Sequence, residues 1–290
     1  MTIANCVLSS HCNAFKLGTE SNGGFKNITF SNCVILSPRF SEPIYGLRRG
    51  MGGIALELVD GGQLENITVS NIVISGVNVP IFLRLGNRAR PFVRDGAKPG
   101  VGSFRSVIIS NIMATGAGRI GCSITGLPGA LVENVTLAHL TLEFEGGGRK
   151  ALVDRSVPER ADAYPESHMF GDLPAYGLYC RHVQGLTVTD VRMTTLAPDE
   201  RHAVVCDDVR DIDLNGLNLP SAPGAAALVR FSQVIDARVR GCRTRSPAEV
   251  FLKVDGDATR RVVVADNKFA AVRQLVERAD GVPAEAVTIR

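Results

Sequence analysis

The stretch Gly53–Ile74, GIALELVDGGQLENITVSNIVI, constrains the fold of this chain more than any other. Ile54, Leu56 and Leu58 alternate with Ala55, Glu57 and Val59, the period of two that marks a strand with one buried face. Asp60, Gly61 and Gly62 supply a turn. The following text alternates again and carries Asn71 just before its bend. A unit of 22 residues cannot bury its apolar face alone, so it requires copies stacked on either side. The copies are present: TIANCVL at Thr2, ITFSNCVI at Ile28, ITVSNIVI at Ile67 and VIISNIMA at Val107. The pattern then loosens through VTLAHLTL at Val135, LTVTDVRM at Leu186, IDLNGLNL at Ile212, ARVRGCRT at Ala237 and VVVADNKF at Val262. Repeats of this length with a small or polar residue at one corner describe an all-β chain, a right-handed parallel β-helix of two or three short strands per coil. An Asn recurring at one corner is expected to form a ladder, each amide bonding the next along the axis.

A solenoid runs on without a boundary, so residues 1–290 are read as one domain. Hydrophobic residues make up 45% and aromatics only 6%, with no Trp, which suits a core of stacked Val, Ile and Leu. A net charge of +3 and the lack of any dense Lys/Arg run speak against a nucleic-acid partner, and no membrane partner is expected. The seven cysteines show no metal-ligand spacing and read as small buried hydrophobes, although the residues leave a disulfide open. No acidic cluster has the spacing of a calcium loop, so neither metal nor cofactor is expected.

Residues 1–86 read as regular coils. Two loop insertions follow, at 88–103 and at 145–177, and loops projecting from one side of a solenoid wall a groove. Residues 272–290 read as a C-terminal cap. The chain opens on strand-like text with neither an apolar leader nor a capping element, as expected of a piece that begins inside a solenoid.

Aligning the first strands of successive coils by their inward residues places Lys16, Glu57 and Arg84 outward on one face. Coils lie about 4.8 Å apart, so Glu57 is expected beside Arg84, with Lys16 on the diagonal. Glu20 and Asp60 join at the adjoining corner, and Arg88 follows in the first insertion. The cluster reads as a sugar site in which a carboxylate, Glu57 or Asp60, acts as acid or base while cations hold substrate oxygens. The same residues equally describe a surface charge ladder. In the long insertion and the strand after it, Tyr164, His168, Phe170 and Tyr176 read as an aromatic platform for a sugar ring or as a lid packed on the coils. Asp207–Asp208 reads as a corner, His139 as a stand-in for Asn in the ladder, and His182 and His202 show no partner.

SSHCNAFKLGTESNGGFKNITFSNCVI, IALELVDGGQLENITVSNI, PIFLRLGNRAR and YPESHMFGDLPAYGLYCRHV resemble a bacterial branch of the polygalacturonase-like glycoside hydrolases of family 28. The resemblance implies a pectin-lyase-like solenoid, secreted or periplasmic, that hydrolyses a pectic or related plant polysaccharide with inversion and without metal. It also implies an N-terminally shortened form, because the family's catalytic aspartates lie on coils before this text. The family's Gly-His-Gly motif falls on Cys12-Asn13-Ala14, which puts Asn13 in the substrate site in place of a histidine. Its Arg-Ile-Lys motif falls on Ala55-Leu56-Glu57, and Glu57 in place of a cation is expected to repel a uronate. Three readings follow: a polysaccharide hydrolase, a non-catalytic glycan-binding or structural β-helix, and, last, a lyase or epimerase.

Overall fold

A computed structural model describes residues 1–244, 246–269 and 271–290. Apart from the two-strand hairpin Arg39–Ile44/Leu47–Arg49, the described strands form one hydrogen-bonded system of parallel pairs. The chain winds as a right-handed parallel β-helix, the hand that a right-twisted strand favours on its return to its own sheet.

The repeats noted in the sequence fall in one column. Ile28, Ile67, Val107, Val135, Leu186, Ile212, Ala237 and Val262 stand in register from coil to coil, followed by Val287. The first strands stack in the same way. Leu17, Leu56, Leu83, Ile124, Cys180, Cys206, Phe231 and Val254 form a second buried column. A one-residue slip would turn every one of these side chains to solvent, so the two columns fix the register between them.

The corners explain the polar residues. Asn32, Asn71 and Asn111 take φ of 54°, 57° and 53°, the left-handed conformation that Asn tolerates best among residues with a side chain. Asn71 Nδ2 donates to Asn32 Oδ1 at 2.9 Å, and Asn111 Nδ2 to Asn71 Oδ1 at 3.1 Å, so the expected ladder exists. A second ladder lies five residues upstream, where Asn66 Nδ2 donates to Asn27 Oδ1 at 3.1 Å. His139 takes the ladder position with φ of 56°, and Asp208 is a corner with φ of 49°.

Three departures from the sequence reading matter for the site. The hairpin at Arg39–Arg49 interrupts coils that read as regular, turning at Tyr45 and Gly46, both at positive φ. Its strands alternate poorly, which hides it in the sequence; the Tyr-Gly step is the available signal. The long insertion carries only a short 3-10 turn at Lys150–Leu152 and lies on the first-strand face. There Val157, Phe170 and Leu173 pack on Ala55, Val79, Phe82 and Tyr179. Finally, the residues read as a cap include two strands, Val272–Arg278 and Val287–Ile289, which pair in register with the preceding coil as one further, half-buried rung. All seven cysteines are free thiols, five of them buried.

Candidate functional site

The outward residues of the first strands form their own column: Glu57, Arg84, Thr125, Arg181 and Asp207 stand side by side on successive coils. Glu57 and Arg84 are register neighbours, as expected, yet they do not pair. Arg84 turns into the long insertion instead. Its Nη1 donates to Thr125 Oγ1 at 3.3 Å and Gly126 O at 3.1 Å, and its Nη2 to Glu159 O at 2.7 Å and Arg160 O at 3.2 Å. The guanidinium also lies 5.5 Å from the centre of the Phe170 ring. Burial, with the nearby Arg181 adding to it, pulls its pKa down to about 10. Arg84 therefore anchors a loop and does not hold substrate. The difference arises because the insertion brings backbone carbonyls that strand alignment cannot foresee.

Lys16 takes the diagonal to Glu57, with Nζ 2.8 Å from Glu57 Oε2. Thr19 Oγ1 donates to the same oxygen at 3.4 Å, whereas Glu57 Oε1 is buried without a partner. Glu57 is fully covered, and this burial, reinforced by Glu166, pushes its pKa up to about 7 against the pull of Lys16. Burial alone would lower Lys16, but Glu57 and then Glu166 raise it on balance.

Glu166 comes from the long insertion and escapes a reading of the sequence, where nothing distinguishes it from the other insertion acids. Its Oε1 lies 3.8 Å from Lys16 Nζ, and its Oε2 accepts from Asn13 Nδ2 at 3.2 Å. Asn13, Lys16, Glu20, Tyr164, Glu166 and His168 line a cavity of about 510 Å³, and Tyr45 of the hairpin turn joins the lining. Glu57 lies beneath this lining, covered by Lys16 and Thr19. His168 Nδ1 is buried without a partner. Tyr164 stands half exposed at the mouth, its ring centre 5.2 Å from Lys16 Nζ and 5.4 Å from the Arg88 guanidinium.

Asp60 is placed at the corner as expected but is fully engaged. Arg88 grips both its oxygens, one of them through Nε at 2.9 Å, and the Arg90 N–H donates to Oδ1 at 2.9 Å. Burial would raise its pKa, yet these donors hold it below the ordinary carboxylate value. Glu20 receives Arg88 Nη2 at 3.2 Å and lies 3.7 Å from Arg90. A backbone hydrogen bond and then Arg88 keep it below the ordinary value as well. Tyr176 is not part of the site: it is buried in the coil interior, where its hydroxyl donates to Pro220 O at 3.1 Å. Phe170 is likewise lid packing rather than a platform.

The histidines without apparent partners have them. His182 places Nδ1 2.7 Å from Asp208 Oδ2 and Nε2 3.2 Å from Glu159 Oε1. Arg181 donates to Val157 O at 2.6 Å and pairs with Glu159 at 2.9 Å. With Arg84, these side chains tie residues 157–160 to the coils. His202 is buried with Nδ1 against Ala227 O, and burial brings its pKa down to about 4. Among the described residues no group of three or more His, Cys, Asp or Glu side chains is arranged to hold a metal ion.

No protein-family model matches the sequence, and no curated protein does. Among solved structures the chain is similar to PfbA, a surface adhesin of Streptococcus pneumoniae, at 12% identity and a TM-score of 0.49, covering 99% of this chain and 68% of that one. It is similar to the mannuronan C-5 epimerase AlgE6 A-module of Azotobacter vinelandii at 10% identity and a TM-score of 0.44, with coverage of 100% and 89%. It is also similar to DFA-IIIase of Arthrobacter chlorophenolicus A6 in complex with GF2, at 13% identity and a TM-score of 0.42, with coverage of 94% and 61%. At such identities and scores the likeness concerns the course of the backbone alone. The β-helical architecture follows from the strand pairings described above.

Proposed function

We propose that this β-helix is a glycoside hydrolase that seats a plant polysaccharide in the cavity between the first strands, the hairpin and the long insertion. One observation carries the reading: Lys16 Nζ stands between a buried carboxylate of raised pKa, Glu57, and a cavity-facing carboxylate, Glu166. Glycosidic cleavage requires two carboxyl groups on the cavity surface, and Glu166 and Glu20 are the two available there. Glu20, kept ionised by Arg88, takes a proton from the attacking water as the glycosidic C–O bond breaks, and Glu166, in its carboxylic-acid form, gives its own proton to the leaving oxygen. Tyr164 supplies the face for a sugar ring. Glu57 lies too deep to touch substrate and serves as a positioning residue that holds Lys16 and sets its charge environment.

The family 28 resemblance favours a pectic polysaccharide. Within the cavity, however, Lys16 is already committed to Glu57, and Arg88 at its edge to Asp60 and Glu20. That arrangement favours a neutral sugar at the cleavage point.

Incubation with a panel of pectic and neutral plant polysaccharides, read as release of reducing ends, tests the proposal. Glu166→Gln is expected to lower kcat by two orders of magnitude or more, in the range general acid–base catalysis contributes. Glu57→Gln is expected to shift the pH profile and lower kcat with little change in KM. Saccharide binding on Tyr164 without product release from any substrate would instead identify a glycan-binding β-helix.

A further inference from the structure

The hairpin Arg39–Ile44/Leu47–Arg49 walls a second cavity of about 600 Å³ on its other side, lined by Arg39, Phe40, Arg48, Ser75, Thr115 and Glu143 among others. Across the hairpin Arg39 pairs in register with Arg49, and like charges placed directly opposite destabilise an antiparallel pair. Only Arg49 is relieved: it pairs with Glu145 and donates from Nη1 to Gly116 O at 3.0 Å. Arg39 and Arg48 make no ion pair and no side-chain hydrogen bond among the described residues. Glu143, the one acid in the lining, accepts the Gly116 N–H through Oε1 at 3.1 Å. The cavity is therefore bordered by more guanidinium groups than carboxylates, and two of them, the exposed Arg39 and Arg48, are free of protein partners among the described residues. Ser75 and Thr115 add hydroxyls free to meet a polyhydroxylated ligand, and Phe40 adds a ring. The floor between them is kept low by Gly76 and Gly116, at φ of 75° and 60°.

We infer that this cavity is a binding site for an anionic saccharide, the Arg39 and Arg48 forks taking a carboxylate or sulfate and the hydroxyls taking the ring. Bidentate guanidinium contacts suit both anions. The site shares the hairpin with the Tyr164 cavity but none of its charged residues, and it stands whether or not that cavity hydrolyses a glycosidic bond.

The test is calorimetric titration of the full chain with a glucuronate trisaccharide, a sulfated trisaccharide and the matched neutral trisaccharide, at two salt concentrations. At least one acidic trisaccharide is expected to bind, more weakly at higher salt, and at least tenfold more tightly than the neutral one; which of the two binds identifies the anion. Arg39→Ala with Arg48→Ala is expected to weaken that binding at least tenfold, Arg39→Lys with Arg48→Lys less so, and Glu166→Gln to leave it unchanged. Equal binding of the neutral trisaccharide that is lost in the double alanine variant, full retention of acid binding by that variant, or no binding of either acid by the native chain overturns the inference. Inorganic sulfate binding as tightly as the trisaccharides would remove the saccharide from it.

Discussion

Glu57 is the side chain at which burial and pairing compete most openly. Lys16, at 2.8 Å, favours its charged form, yet complete burial with one orphaned oxygen wins, and its pKa rises from 4.5 to about 7. A native pKa above the unfolded value means that the folded chain holds the proton longer. Stability contributed by the protonated form is thus fully present below about pH 4.5 and is lost as pH rises toward 7, by an amount on the order of 1–3 kcal/mol. Asp60 and Glu20 have the opposite sign: their lowered values contribute stability that disappears only as pH falls through the carboxylate range. Urea unfolding between pH 5 and pH 8 is therefore expected to show declining stability in the native chain and a flatter profile in Glu57→Gln. An unchanged slope in the variant would assign the decline to another group. The alternation around Ile54 and Leu56 is enough to place Glu57 and Lys16 on the same outward face. It cannot reveal that Glu57 is roofed over, because the roof is built from Lys16 and Thr19 of the preceding coil.

Among the larger elements, the long insertion shows how a loop without regular structure is held. Arg84, Arg181 and His182 converge on residues 157–160, largely through backbone carbonyls. Removing Arg84 strips four acceptors of a charged donor in a buried setting, a change worth roughly 2–4 kcal/mol. Arg84→Ala is expected to leave the coils folded while limited proteolysis within 145–174 becomes markedly faster. Arg84→Lys should fall between, since an ammonium cannot span the same set of acceptors. Unchanged cleavage would mean that the Phe170 and Leu173 packing holds the insertion unaided. The sequence marks this segment as an insertion by its Gly-rich entry and the break in period. Its anchors stay hidden there because carbonyl acceptors carry no residue identity.

For the molecule as a whole, stability is a sum of contacts between neighbouring coils. The columns from Ile67 to Leu186 and from Leu56 to Cys206 are buried throughout, whereas no residue of Val272–Arg278 is fully buried. Hydrogen exchange is accordingly expected to be slowest in the strands around Ile67, Val107, Val135 and Leu186 and fastest in the last rung, with a gradient between them. Uniform protection along the axis would show a single cooperative unit instead. The solenoid itself is legible in the amino-acid sequence alone: a side-chain period of two, copied at short intervals with Asn at the bend, can satisfy its apolar face only by stacking on itself. The two ladders and the shared register of Ile28 through Val262 follow from that local rule. The docking of the hairpin on the coils, the seating of the insertion, the commitment of Arg84 to carbonyls and the meeting of Glu166 with Lys16 do not. They depend on contacts between segments up to about 150 residues apart, such as Asn13 with Glu166. No local period encodes such contacts, since the free energy that selects them comes from burial and charge pairing in the assembled coils.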